Sequence, residues 1–576
     1  MIYNRFSIIL PLISALILGG CASLGGEKAQ QAQQPEANAP KVAETPTRPF
    51  TGDTLYDLLL AEFAGKRNRA DVALGNYLKQ AHETRDPQVV ERATFIARYL
   101  GAHQATLDAS MLWSEIEPAN PVPRELAAIE LIRFGKLDDA MEQIDLLIAS
   151  DGRMNFEFLL QATRSANRET RQQILAKLQD YSKTIDDDKL WFAIGSLEAM
   201  DGNHKLAIKD FDRALNTTPN YSGAILARAQ SLIALNRLDE AMSYLSKQTE
   251  KFPENKRLGI VYARYLMQQG QLEAAQQQFF NLSQNFPNDG DLVLSLALLS
   301  WENKRQDEAK DYFRQLLEMG HRVDESNIYL ARIAVSEKQL DEAGKYFQQV
   351  RIGPHYAVAQ IQLALLWQQT GDLQKAFDTL DQAADSMPKE RDQFILAKSE
   401  ILANDQQLEE AIEELDRGLS SSPDNTNMLY ARAMMKEQQE DFEGMEADLR
   451  QVLELQPDNS AALNALGYTF ANRNRRLSEA WELIERAYTL NPEDPAIIDS
   501  MGWIKYRMGE TQVALDYLRK AYEAFEDQEI AAHLGEVLWV SGEREEAAII
   551  WRNALEKNPN SQVLKDVIER FNPKSL

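Results

Sequence analysis

The sequence predicts an all-α protein, a solenoid of about fifteen helix-turn-helix units, and three observations predict it. A small residue recurs at a nearly fixed period: Ala207, Ala241, Ala275, Ala309, Ala343, Ala376, Ala411, Met445, Ala480, Ala514 and Ala547 follow one another at intervals of 33 to 35 residues. An aromatic stands four places after several of them, as in "QLEAAQQQFF" (Ala275, Phe279), "QDEAKDYF" (Ala309, Phe313) and "LDEAGKYF" (Ala343, Phe347). Prolines follow twelve places after the alanine, as Pro219 after Ala207 and Pro287 after Ala275. A chain of 576 residues exceeds one compact core, which an elongated array does not need.

The N-terminus has a different grammar. "MIYNRFSIILPLISALILGGCASLGG" carries one basic residue, Arg5, an apolar run from Phe6 to Leu18, and small residues before a cysteine. That run is short for a bilayer span and has the anatomy of a secretory signal over residues 1–20. Leu18-Gly19-Gly20-Cys21 resembles the bacterial lipobox, which implies acylation of Cys21 and cleavage before it. Cys21 is the sole cysteine, which fits an exported chain without disulfides. Ala22 rather than aspartate follows it, and by resemblance to Gram-negative lipoproteins this implies an outer-membrane location facing the periplasm. Residues 21–52 are rich in Gln, Ala and Pro, cannot bury enough surface to fold, and are expected to be a disordered tether. As a flexible coil of about 30 residues it would reach about 30 Å.

Each repeat position has a physical role. In "LWFAIGSLEAMDGNHKLAIKDFDRALNTTP", Gly195 and Ala207 are expected where the two helices of a unit cross and anything beyond a methyl would separate them. Phe211 and Ala214 lie one turn apart on the second helix and pack toward the next unit, and Pro219 ends that helix. The marks recur as Ala263, Ala275, Phe279 and Pro287, as Ala364, Gly371, Ala376 and Pro388, and as Gly535, Gly542, Ala547, Trp551, Ala554 and Pro559. This pattern resembles the tetratricopeptide repeat, which implies a right-handed superhelix with the first helices lining a concave groove. Residues 188–559 are expected to form the array, and "SQVLKDVIERFN" within 560–576 a solvating cap helix. Over residues 53–187 the pattern decays into divergent helical repeats marked by Ala73, Ala105 and Ala140, with room for one more in "NRETRQQILAKLQDYS".

The chemistry search excludes several classes. A net charge of -26 argues against a nucleic-acid partner, which would need clustered Lys and Arg. The six histidines, His82, His103, His204, His321, His355 and His533, show no metal-ligand spacing, and "HLGE" at 533 lacks a zinc protease's second histidine. No phosphate-binding or dinucleotide loop, nucleophile elbow or Cys-His pair is present, so no enzyme activity, catalytic residue, metal or cofactor is expected. Asp186-Asp187-Asp188 lacks the glycine turn and distal glutamate of a calcium loop and reads as a helix N-terminus, where acids favour the dipole.

One region stands out, "NALGYTFANRN" followed by "DSMGWIKYRMG". The groove-facing register places Asn464, Tyr468 and Asn472 on one stripe and Asp499, Trp503 and Tyr506 on the next. Amides and rings on a concave face suit an extended peptide. The alternative is that Trp503 and Tyr506 thicken an inter-repeat core. With its lipobox, tether, worn N-terminal units and this stretch, the chain resembles the outer-membrane tetratricopeptide lipoproteins that serve as adaptors of periplasmic carboxyl-terminal processing proteases. The resemblance implies capture of such a protease and of its cell-wall hydrolase substrates. The alternative function is an assembly or docking factor for an envelope machine such as a pilus, secretin or exopolysaccharide exporter.

Overall fold

The computed structural model describes residues 51–571, apart from 152–155 and 165. Cys21, the signal segment and the tether up to residue 50 lie outside the described residues. The chain divides into two compact units, one ending at Asp201 and one beginning at Gly202. Among the described residues there is no strand.

The first unit opens with three antiparallel helix pairs: α1 (Gly52–Lys66) with α2 (Ala70–Thr84), α3 (Pro87–Tyr99) with α4 (His103–Ile116), and α5 (Pro121–Arg133) with α6 (Leu137–Asp151). It closes with α7 (Glu157–Thr163), α8 (Arg168–Tyr181) and α9 (Asp188–Met200). Thr51 Oγ1 accepts from the backbone N–H of Thr54 at 3.1 Å, so a capped helix begins at Gly52, one residue earlier than the tether boundary read from composition. The worn repeats are real helix pairs, with one correction of register. Ala73 and Ala140 are buried near the starts of α2 and α6, but in α4 the buried residue at the equivalent place is Thr106, and Ala105 is only half-buried. In α8 the same place holds Arg171, whose guanidinium binds Asp201 and the carbonyl of Ala166, which explains why the pattern fades there. Asp187 caps α9 through the N–H groups of Lys189 and Leu190, and Asp186 accepts from the Trp191 indole at 2.8 Å, so the acidic run serves a helix start.

The second unit begins with α10 (His204–Thr217) and continues in pairs: α11 (Ser222–Ala234) with α12 (Leu238–Lys251), α13 (Lys256–Gln268) with α14 (Leu272–Asn285), α15 (Gly290–Glu302) with α16 (Gln306–Glu318), and α17 (Val323–Ser336) with α18 (Leu340–Gln348). There follow α19 (Tyr356–Gln369) with α20 (Leu373–Ser386), α21 (Arg391–Asn404) with α22 (Leu408–Ser421), and α23 (Thr426–Gln438) with α24 (Phe442–Leu455). The last pairs are α25 (Ser460–Asn472) with α26 (Leu477–Leu490), α27 (Pro495–Arg507) with α28 (Thr511–Ala524), and α29 (Gln528–Ser541) with α30 (Arg544–Lys557), before the single α31 (Gln562–Phe571). A 3-10 turn at Pro388–Glu390 leads into α21.

The recurring small residue is the most enclosed position of the unit: all ten alanines of the series are inaccessible to solvent, and Met445 nearly so. The crossing glycines explain why. A methyl on Gly467 would lie 3.1 Å from the carbonyl oxygen of Ala480, and one on Gly502 would lie 3.1 Å from that of Ala514. The side chains of Ile484 and Leu518 would be closer still, at 2.7 and 2.6 Å. Between paired helices of the second unit the chain turns through a left-handed residue, supplied by Gly270, Gly371, Gly509 and Gly542 and elsewhere by Asn236, Lys304, Lys338, Gln406, Glu440 and Asn474, with Arg476 a second one in the α25–α26 turn. The predicted cap helix α31 buries Leu564 and Val567, and Phe571 stacks on Trp551 with centroids 6.0 Å apart.

Ala309 sits in a core with Val293, Ala297, Phe313 and Tyr329, the last two rings stacked 4.8 Å apart. Ala309→Trp is expected to overpack this core at a cost of about 1–3 kcal/mol or more. Hydrogen exchange should rise around residues 290 to 345 and stay unchanged in remote repeats, because units of a repeat stack pack mainly on their near neighbours. Unchanged exchange around that site, or a uniform rise along the chain, would contradict the stacking.

Candidate functional site

Four first helices, α23, α25, α27 and α29, lie side by side near the C-terminal end of the second unit, so residues one period apart come into contact. Aspartate and asparagine caps hold their starts: Asn425, Asn459, Asp494 and Asp527 each accept backbone N–H groups of the first turn. Of the six residues marked in the sequence, the structure brings four to one place. Asp499 Oδ2 lies 2.8 Å from His533 Nδ1, and the Tyr468 hydroxyl lies 3.3 Å from His533 Nε2. Trp503 stacks on the same imidazole, centroids 4.1 Å apart and planes 24° apart. Tyr506 is half-buried beside Trp503, its ring 5.3 Å away. Asn464 is half-buried one turn before Tyr468, and Asn472 is exposed at the end of α25.

These residues sit between repeats at different depths. Trp503 is 4% exposed and Asp499 5%, so they belong to the seam between repeats and not to an open wall. Yet the seam is not a finished core. Asn464 Oδ1, Asp499 Oδ1, Trp503 Nε1 and Arg507 Nε are all buried without a hydrogen-bond partner. The Arg507 guanidinium lies 5.7 Å from the Trp503 ring centre.

His533 is the centre that sequence reasoning missed. Burial alone pulls its imidazole down, but Asp499, Glu529 and Glu536 outweigh that and hold it above its ordinary value. When doubly protonated it donates from Nδ1 to Asp499 and from Nε2 to the Tyr468 oxygen, and so links α25, α27 and α29. Burial pushes the Tyr468 hydroxyl well above the usual range, with Glu529 and Asp499 adding to it, so it stays a neutral phenol. Burial also raises the Glu529 carboxyl, against the pull of His533. Beyond the imidazole stands the Tyr468 phenol, so the chain of bonds runs from Asp499 on α27 through His533 on α29 to Tyr468 on α25 and ties the three helices together. Among the described residues no group of His, Cys, Asp or Glu is arranged to hold a metal ion. A signal for His533 was present: it lies 34 residues, one repeat, after Asp499.

Two tetratricopeptide-repeat family models match the chain, one at residues 199–265 and 239–299, the other at 294–357, 430–495 and 500–562. A TPR repeat-containing protein of Pseudomonas aeruginosa is 39% identical over 529 residues, spanning 91% of this chain and 89% of that protein. Bacteriophage adsorption protein A of Escherichia coli is 29% identical over 128 residues, 22% of this chain and 13% of that protein. Among solved structures, a tetratricopeptide repeat protein from Parabacteroides merdae has a TM-score of 0.36 at 17% identity, over 44% of this chain and 100% of that one. Yeast Tom70 has a TM-score of 0.33 at 15% identity, over 90% of this chain and 99% of that one. The chain belongs to the tetratricopeptide-repeat family. It is accordingly a protein-binding scaffold.

His533 makes stability depend on pH with a definite sign. Because its folded-state pKa is raised, its contribution is complete below the ordinary histidine value of about 6.5 and is lost as pH rises through the higher folded value. The melting temperature should therefore fall between mildly acidic and mildly alkaline pH, and His533→Gln should remove that part of the fall. Identical pH profiles for the two proteins would contradict the buried ion pair.

Proposed function

We propose that the chain is an outer-membrane lipoprotein, acylated at Cys21 and facing the periplasm, that acts as a non-catalytic adaptor. It captures proteins on the face formed by α25, α27 and α29 and brings substrates to a periplasmic carboxyl-terminal processing protease. The observation that carries the capture step is the gathering of four unpartnered buried polar atoms on two adjacent helices, two acceptors from Asn464 and Asp499 and two donors from Trp503 and Arg507. Leaving such an atom unpaired costs about 1–3 kcal/mol, so a ligand whose polar groups reach the seam and pair it relieves that cost. An extended main chain offers one donor and one acceptor per residue and suits such a surface. The protease as partner rests on the family resemblance of the lipobox, tether and repeats, and confinement at one membrane surface would raise effective concentration.

The anchor is tested by fractionating a Cys21→Ala strain. Release from the outer membrane, or retention as an uncleaved precursor, is expected, and unchanged pelleting would show that the lipid is misassigned. The adaptor role is tested with purified components. The protease with this chain should cleave a cell-wall hydrolase faster than alone, while the chain by itself should cleave nothing. Tyr506→Ala should weaken capture by about 1–2 kcal/mol, because the ring is accessible beside the seam. Trp503→Ala is a poor probe, since loss of a buried indole costs about 3–5 kcal/mol of stability. Retention of pilus or export subunits in place of a protease would favour the envelope-machine reading.

A further inference from the structure

The two ends of a repeat stack must both be closed, because each unit buries its apolar face on a neighbour. At the C-terminal end α31 does this. At the other end α1 does the opposite: Leu55, Tyr56, Leu59, Leu60 and Phe63 form a continuous exposed apolar stripe along it, and Phe63 is 59% exposed. A groove of about 490 Å³ lies between α1, α2 and α3, lined from α1 by Glu62 and Lys66 and from α3 by Phe95 and Tyr99. Tyr99 is 85% exposed. Isolated exposed apolar residues need no explanation, but a contiguous face of this kind marks a contact surface.

The charge around it identifies the occupant. The whole chain carries -26, yet between Thr51 and Leu100 seven basic side chains balance seven acidic ones. Lys66 and Arg67 end α1 just beyond Phe63, and Arg98 precedes Tyr99 at the end of α3; all three are exposed, and none makes an ion pair among the described residues. Aromatic side chains rimmed by unpaired cations match a lipid surface, where rings sit at headgroup level and Lys and Arg meet anionic phosphates. Cys21 lies only 30 residues before Thr51 in the chain.

We propose that the exposed face of α1 together with Phe95 and Tyr99 docks on the bilayer, so that the N-terminal helices lie on the membrane instead of hanging at the tether's full reach. The lipid at Cys21, a separate part of the reading above, would bring the face to its surface. The docking itself needs no acyl chain.

The test therefore uses the chain from residue 21 with Cys21→Ser, so that no lipid is attached, and vesicles of phosphatidylethanolamine with phosphatidylglycerol. Co-sedimentation is expected. Replacing both Phe63 and Tyr99 by Ser should weaken it about tenfold or more. Replacing Lys66, Arg67 and Arg98 by Gln should weaken it only when phosphatidylglycerol is present. All five side chains are exposed, and unchanged melting curves will show that folding is intact. Absence of sedimentation, or equal sedimentation of the variants, overturns the proposal. So does a soluble dimer that the Phe63 and Tyr99 changes dissolve, which would assign the face to a second copy. Loss of protease capture in that double variant without any vesicle binding would assign it to a protein and overturns the proposal equally. Because these readouts do not require cleavage by the protease, failure here and failure of the adaptor reading are separable.

Discussion

The whole array depends on how closely two helices can approach at one point per repeat. At Gly467 and Gly502 a methyl would meet the side chains of Ile484 and Leu518 first and a backbone carbonyl oxygen just beyond, so moving those side chains aside would not by itself make room. An alanine at the matching place on the second helix keeps the pair together, and its burial is complete in every repeat of the second unit that carries one. Met445 is the exception on α24, where a flexible thioether side chain is enclosed instead of a methyl. Fixing that crossing fixes the angle between paired helices, and repetition makes each pair a template for the next.

Regular stacking converts the sequence period into a contact distance. Residues about one repeat apart meet again and again: Asn220 with Glu254, Lys256 with Asp289, Asn425 with Asp392, and Arg570 with Glu536. Most of these are partly exposed pairs that contribute little individually. Asp499 with His533 is the same kind of step taken in a buried setting, where pairing is obligatory once both groups are present. The site is thus a local variant of the polar steps that run along the array, distinguished by burial and by the polar atoms it leaves unpaired.

The fold was largely legible because its determinant is a spacing, and spacing survives in one dimension. Alanine, aromatic and proline marks located the second helices of the last eleven units. Legibility declined where the small residue gave way to Thr106 or Arg171, since neither advertises a crossing position. The left-handed turns also escaped notice, because six of them use Asn, Lys, Gln or Glu in place of glycine. At the site, helical register found Tyr468, Asp499, Trp503 and Tyr506, which share a neighbourhood. It misjudged their depth, because amphipathic register gives direction and not the thickness of what the next repeat lays on top. His533 was weighed against metal-ligand spacings within one helix, whereas its partners come from α25 and α27.

We propose that this scaffold meets a protein at the seam around His533. Hydrogen exchange of the chain alone and in complex with its captured partner tests it most directly. The account predicts new protection concentrated in residues 460–472 and 495–507, with the remote helices of the second unit unchanged. Protection confined to other repeats, with these two helices exchanging as they do in the free chain, would contradict it.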